Sequence, residues 1–512
     1  MNILRAKQEI IDTIDAYLEK DEYGQYRIPE IRQRPVLLMG PPGIGKTQIM
    51  EQIARERDIA LVAYTITHHT RQSAVGLPFI SKKHYGGREV SVTEYTMSEI
   101  LASVYDRMEE SGKKEGILFI DEINCVSETL APTMLQFLQY KTFGNRKIPE
   151  GWIIVAAGNP PEYNRSVREF DVVTLDRMKV MEIEPDLEVW KKYAYNCGIH
   201  PAVIGYIDAH RNNFFRCEAS VDGKHFVTAR GWEDLSEMVH AYERLGKRMD
   251  AEVTGQYLQY PSIARDFANY LELYFRYRRD YGVDSILAGD VSENIRNRLR
   301  YAPFDERLQI ISLLLSALGA RFISVRQTDS CVMYLHEFLL AYRQSDRVDT
   351  ESFGNLLSEK KDEFRLRVQA GQNEKQLQKE YGQVLRLLDG WLVEIKSTSA
   401  EPWDCVSTMF SEIRENLENA ISTAGALLEH AFDFMEMIFG ESQEMVIFIT
   451  ELSVNPHAMW FLGEYECPRY YRYNKTLLFE DREKQIRGKL GDIREMMVQG
   501  ASSMPGEDIS AE

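Results

Sequence analysis

The sequence predicts an α/β fold, a mostly parallel sheet covered by helices on both faces, continued by an all-helical remainder. Two observations predict it. Between residues 35 and 184 short apolar runs alternate with helical segments, and after Pro185 no comparable buried strand pattern occurs. The apolar runs at 35–39, 59–64, 116–120, 152–157 and 179–183 are short and bounded by turn formers, as strands buried on both faces are.

Taken in order, residues 1–34 read as an amphipathic helix carrying Ile3, Ile10, Ile11, Ile14 and Leu18, then a polar linker ending at Arg34-Pro35. Residues 35–184 form the α/β core. Residues 185–300, rich in Tyr, Phe and Trp, read as a compact helical lid, and 301–501 as a further helical domain for assembly or partner docking. Within it, Leu377, Tyr381, Val384, Leu388, Trp391 and Ile395 recur at helical spacing, as do Val406, Phe410, Ile413, Leu417, Ile421 and Ala424. Pro402 suits the first turn of the second helix. Neither stripe sustains four heptads, so both are expected to pack within a domain. The tail 502–512 is small, acidic and apolar-poor, the composition of a disordered segment.

Composition narrows the function classes. At 512 residues the chain exceeds one ordinary core, and 44% hydrophobic with 27% charged residues is a globular composition. No run of about 18 apolar residues and no signal-peptide core is apparent, so the expectation is a cytoplasmic protein without a membrane partner. Six cysteines lie without a C-x-x-C pair, which argues for reduced, mostly buried thiols over a zinc site or a disulfide framework. His68 and His69 lack a third ligand at helical spacing and read as loop histidines. The segment Tyr470-Tyr471-Arg472-Tyr473 reads as a partly buried amphipathic turn. A net charge of −18 disfavours generic binding to nucleic acid.

The chemistry concentrates in a few places. Gly40, Pro41, Pro42, Gly43, Ile44, Gly45, Lys46 and Thr47 complete a G-x-x-x-x-G-K-[ST] loop between the first strand and a helix. There, free backbone N–H groups and the helix dipole face phosphates, Lys46 reaches the β/γ oxygens and the Thr47 hydroxyl ligates Mg²⁺. The third strand delivers Asp121 and Glu122 at its C-terminal end, where open α/β sheets bind ligands. Asp121 suits the Mg²⁺ ion and Glu122 suits polarising the attacking water. An Asp-Glu pair ending a strand otherwise only solvates a sheet edge, but here it follows a complete phosphate loop. The strand 152–157 leads to Asn159, whose amide is both donor and acceptor for a water or the γ-phosphate. Arg177 enters the last strand, and Arg230 begins a helix with Thr228 as N-cap; two arginines so placed stabilise charge on a transferring phosphoryl group. No N-K-x-D guanine motif occurs, so ATP is expected over GTP; the nearest segment, Asn474 to Leu477, lacks the Asp.

These segments, GPPGIGKT (40–47), ILFIDEIN (117–124), AAGNPPEYN (156–164), TLDRM (174–178) and TARGW (228–232), resemble the AAA+ ATPases, and among them the MoxR-like branch of the helix-2-insert clade. The segment 65–97 is where that clade carries its insertion, and 143–149 is similar to the hairpin preceding its sensor-1 strand. The likeness covers about 35–235. It implies an AAA+ P-loop core followed by a helical lid, with residues 40–47 as Walker A, Asp121 and Glu122 as Walker B, Asn159 as sensor 1, Arg177 as arginine finger and Arg230 as sensor 2. In such proteins the finger acts on the neighbouring subunit's nucleotide, so the resemblance implies a homo-oligomeric ring, usually a hexamer. It also implies a partner carrying a von Willebrand factor A domain and a chaperone-like remodelling activity. Met178 stands where Phe is more usual, and Ala229 where Pro commonly precedes the sensor-2 arginine. A nucleic-acid motor, with Lys82, Lys83, Arg146 and Lys147 as its basic candidates, and an ATP-switched assembly module remain the alternatives.

Overall fold

The computed structural model describes residues 1–68, 76–86, 88–143, 146–163, 167, 169–220, 223–345, 347–369, 375–398 and 400–475. His69 and the tail 502–512 lie outside them. The chain folds as two compact units: the described residues of 1–194, 206–270 and 364–373 make up one, and those of 195–205, 271–363 and 374–512 the other. Residues 206–270 therefore belong with the α/β core and 271–300 with the following helices, where a single lid over 185–300 was expected.

Along the chain, helix α1 (Ile3–Leu18) precedes strand β1 (Val36–Met39), α2 (Lys46–Glu56), β2 (Ala60–Thr65) and the hairpin β3 (Pro78–Tyr85) and β4 (Arg88–Tyr95). Next come α3 (Glu99–Ser111), β5 (Gly116–Asp121), α4 (Ala131–Tyr140), the short strands β6 (Thr142–Phe143) and β7 (Arg146–Lys147), and β8 (Trp152–Gly158). Then follow α5 (Val172–Leu175), β9 (Lys179–Glu182), α6 (Leu187–Cys197), α7 (Pro201–Ala209), β10 (Arg216–Ser220), β11 (Gly223–Val227), α8 (Ala229–Arg244), α9 (Ala251–Tyr257) and α10 (Pro261–Tyr281). The remaining helices are α11 (Val283–Leu287), α12 (Glu293–Arg300), α13 (Phe304–Arg343), α14 (Thr350–Gln369), α15 (Lys375–Ser397), α16 (Pro402–Ile438), α17 (Gln443–Val454) and α18 (Pro456–Glu464).

All five expected strands form, and they form one parallel sheet in the order β2-β5-β8-β1-β9. Strand alternation divides their side chains between two cores. Leu37, Leu118, Ile120, Ile154 and Ala156 meet Ile100, Leu101 and Val104 of α3 and Met134 and Phe137 of α4. On the other face Val36, Leu38, Phe119, Ile153 and Val155 meet Met50 and Ile53 of α2, and also Ala6, Ile10 and Ile14 of α1. The amphipathic helix expected at the N-terminus thus lays its apolar face against the sheet. Each Val, Leu, Ile, Phe or Met side chain among them, fully buried, contributes about 1.5–3 kcal/mol. Asn2 caps α1 by accepting from the Arg5 N–H at 2.9 Å.

The antiparallel pair β10–β11 is a departure, since only helices were expected beyond Pro185. Its strand Arg-Cys-Glu-Ala-Ser is polar and lacks the apolar run of a buried strand. Hairpin β3–β4 lies within the expected insertion segment. Pair β6–β7 lies in the expected hairpin, anchored where Phe143 stacks on Phe137 with centroids 4.0 Å apart.

In the helical unit, α13 runs for 40 residues and packs against α15, α16, α17 and α18. Val384, Leu388, Trp391 and Ile395 are buried on α15, as are Val406, Leu417 and Ala424 on α16, and Pro402 opens α16 as expected. One expectation is corrected here: α13 contains an 18-residue stretch long and apolar enough to cross a membrane, half of it buried in the unit. Buried Ile310, Leu314, Leu318 and Phe322 give it the character of a core helix. Of the six cysteines only Cys467 is buried and Cys197 is exposed, the other four lying between, so the expectation of mostly buried thiols fails. Tyr470 is buried with its hydroxyl 2.9 Å from Ser453 Oγ, and Arg472 covers the Tyr473 ring, which satisfies the amphipathic reading of that turn.

Candidate nucleotide site

Strand β1 ends at Met39, and the chain turns through residues 40–45 into α2. Two glycines make the turn possible, Gly43 at φ +75° and Gly45 at φ +89°. Gly40 is needed for a different reason: a Cβ there would stand 2.7 Å from the Ile183 carbonyl oxygen, at the end of β9. Gly45 offers no side-chain cap to α2, so the first N–H groups of that helix face the loop. Half-buried Ile44 packs against the core shared by α1 and α2, which fixes the loop's outer edge.

Lys46 is buried, and its ammonium donates to the Gly40 carbonyl at 2.8 Å, the Pro41 carbonyl at 2.8 Å and Asn159 Oδ1 at 3.0 Å. Burial pushes its pKa down to about 8; the Asp121 carboxylate opposes that, Arg230 adds to it, and Glu122 opposes it more weakly. The Thr47 hydroxyl donates to Asp121 Oδ2 at 2.9 Å. A hydroxyl and a carboxylate converging at this distance form an all-oxygen donor set that fits a hard divalent cation such as Mg²⁺.

At the mouth of β5, Asp121 Oδ1 accepts from the Glu122 N–H at 2.9 Å, and Glu122 adopts a left-handed backbone, φ 56° and ψ 35°. A non-glycine residue held there costs on the order of 1–3 kcal/mol, and its neighbours must over-determine it. The buried Asn124 does part of this by donating to the Asn159 carbonyl at 2.8 Å and accepting from the Asn159 N–H at 3.3 Å. The ends of β5 and β8, and with them Asp121, Glu122 and Asn159, are thereby locked in one register. In the sequence Asn124 stands out only as part of the Asp-Glu-Ile-Asn string. Its signal is its place inside the 3-10 turn Ile123–Cys125 directly after a strand end, where an Asn side chain substitutes for backbone pairing.

The two arginines part company. Helix α8 is capped by Thr228 Oγ1, which accepts from the Gly231 N–H at 3.2 Å. Its first turn abuts the phosphate loop of the same chain: a Cβ built on Gly43 would lie 3.2 Å from Arg230 Cβ and 3.3 Å from Thr228 Oγ1. Arg177 is exposed and donates instead to Gln139 Oε1 of α4, beside Val172 and Val173, which are 82% and 60% exposed. Gln139 is a second residue that sequence reasoning did not single out.

Residues 35–178 match the family model of the AAA domain, dynein-related subfamily. No curated protein matches the chain. The matched segment contains β1, the phosphate loop, Asp121, Glu122, Asn159 and Arg177, and stops short of α8 and Arg230. Residues 35–178 are accordingly an AAA+ nucleotide-binding domain of the ATPase type.

Proposed function

We propose that the chain is a ring-forming, ATP-hydrolysing remodelling protein whose nucleotide turnover reshapes or loads a partner protein. The observation that carries this reading is the convergence on one sheet edge of Lys46, Thr47, Asp121, Glu122 and Asn159, tied by the Thr47–Asp121 bond at 2.9 Å and the Lys46–Asn159 bond at 3.0 Å. Lys46 and the N–H groups of α2 hold the triphosphate oxygens. Thr47 and Asp121 would hold Mg²⁺, which when bound supplies charge neutralisation between the β- and γ-phosphates. Glu122 orients a water for in-line attack on the γ-phosphorus and takes up its proton; the bond to the β-phosphate oxygen breaks, and ADP and phosphate leave. Asn159 fixes that water or a γ-oxygen. Arg230 serves the nucleotide of its own chain, while the outward-facing Arg177 serves that of a neighbour in a ring, a hexamer by resemblance.

Three of the four basic candidates for a nucleic-acid track are paired within the chain: Lys82 with Glu89 at 2.9 Å, Lys83 with Glu94, and Lys147 with Glu30. This favours a protein client over a nucleic acid. The resemblance to MoxR-like proteins supports a partner with a von Willebrand factor A domain. The test is a Glu122→Gln variant, which should hold ATP, fail to hydrolyse it and retain assembled partners on purification. Normal turnover by Lys46→Ala protein would overturn the reading.

A further inference from the structure

Gln48 follows Thr47 in the first turn of α2, and its Oε1 folds back to 3.5 Å from where a Cβ on Gly45 would stand. Its amide donates to the Tyr193 hydroxyl at 3.4 Å, and that hydroxyl donates to Glu233 Oε1 at 2.7 Å. The first contact is long and soft; the second is short and charge-assisted, about twice as strong as a neutral bond. Tyr193 lies on α6 and Glu233 on α8, both half-buried. Glu233 sits three residues beyond Arg230, hence on the same face of α8 one turn further in.

We propose that Tyr193 is a positioning residue for nucleotide binding, its hydroxyl joining the phosphate loop through Gln48 to the helix that presents Arg230. The proposal rests on the nucleotide-site reading above and deepens it by naming what sets Arg230 over the loop. The start of α8 is anchored by the buried Trp232, whose indole N–H donates to the Asn213 and Phe214 carbonyls at 3.3 and 3.1 Å, and two further contacts bear on how the helix is turned about its axis. The Tyr257 carbonyl lies 3.0 Å from a Cβ built on Gly231 and limits motion on one side. On the other, the Glu233–Tyr193 bond ties the helix to α6. Rotation of α8 about its axis, which would swing Arg230 off Gly43, has to break that bond. The hydroxyl therefore acts through Arg230, without touching the reacting atoms, and its influence falls on how tightly ATP is held.

The test uses the full chain with Tyr193→Phe, which keeps the ring and deletes the hydroxyl, together with Glu233→Ala, Glu233→Gln and Arg230→Ala. ATP affinity, KM, kcat and the nucleotide-free melting temperature are measured on each. Tyr193→Phe and Glu233→Ala are expected to raise Kd and KM for ATP about fivefold to tenfold, the loss of roughly one hydrogen bond, with kcat within about twofold of wild type. Glu233→Gln retains an acceptor and should restore near-normal KM. Combined with Arg230→Ala, the Tyr193→Phe change should add almost nothing, because both act through one guanidinium. Melting temperatures without nucleotide should fall by no more than about 2–4 °C, the loss of a single bond. A wild-type KM in Tyr193→Phe, or effects fully additive with Arg230→Ala, would overturn the proposal while leaving the ATPase reading standing. Absence of ATP binding by the wild-type chain itself would bring down both.

Discussion

Asn124 and Asn159 hold each other by two hydrogen bonds, one in each direction, between the side chain of the first and the backbone of the second. The pair welds the end of β5 to the end of β8. Asn124→Ala should cost about 1–3 kcal/mol of stability, as a buried polar pair is broken, and lower kcat about tenfold or more by freeing Asn159. Gly158→Ala offers an independent check: its Cβ would lie 2.7 Å from Asn124 Oδ1, so it should reproduce the kinetic loss with both asparagines intact. Chemical denaturation and steady-state ATPase assays measure the two effects.

ATP affinity should depend on pH through Lys46. Its pKa in the nucleotide-free protein is about 8, and bound phosphates favour the charged amine. Below pH 8 the amine is already charged, and binding takes up no proton. Above it, each binding event takes up a proton, so Kd should rise with pH by up to about tenfold per unit. Calorimetry in buffers of different ionisation enthalpy reads the proton uptake directly, and a Kd unchanged between pH 7 and 9.5 would contradict the assignment.

A second buried lysine gives a stability signature. Lys141 donates to Gln33 Oε1 at 3.0 Å, and burial pushes its pKa down to about 8, opposed by Glu30 and reinforced by Lys147. A lysine whose folded pKa lies below its unfolded value binds fewer protons folded than unfolded across that interval. Stability due to it therefore rises between about pH 8 and 10.5, and the destabilising penalty is complete below pH 8. Relative to Lys141→Met, the wild-type chain should gain on the order of 1–3 kcal/mol across this window. Urea titrations at pH 7.5 and 10 on both proteins test the sign.

Arg230→Ala and Arg177→Ala should fail differently. Arg230 stands at the loop of its own chain, so its loss should weaken ATP binding at any protein concentration. Arg177 faces outward beside exposed Val172 and Val173, so its loss should spare ATP binding and lower kcat by about 10³-fold in the assembled protein. Mixing Arg177→Ala with Lys46→Ala subunits should restore part of the turnover at interfaces that pair an intact loop with an intact arginine. No recovery on mixing would count against action between subunits.

The sheet was legible because its three inner strands, β5, β8 and β1, are buried on both faces: runs such as Ile117 to Ile120 and Ile153 to Ala157 have no polar side and admit few other readings. The phosphate loop was legible because its glycines and Lys46 are adjacent in sequence. What escaped was set by contacts distant in sequence or by a pattern too polar to read. Nothing in the stripe of α1 names the sheet as its partner, and β10–β11 carries too polar a pattern to stand out. The place of Arg230 depends on α8 meeting Gly43 some 187 residues away in the chain, and Asn124 gains its role only from Asn159.

The three bonds of Lys46 make nucleotide capture an exchange of partners. A triphosphate that recruits this ammonium has to draw it from at least one of these three acceptors, of which Asn159 stands 113 residues further along the chain. Where the bond given up is the one to Asn159, occupancy of the loop is felt at the end of the neighbouring strand as a bond released.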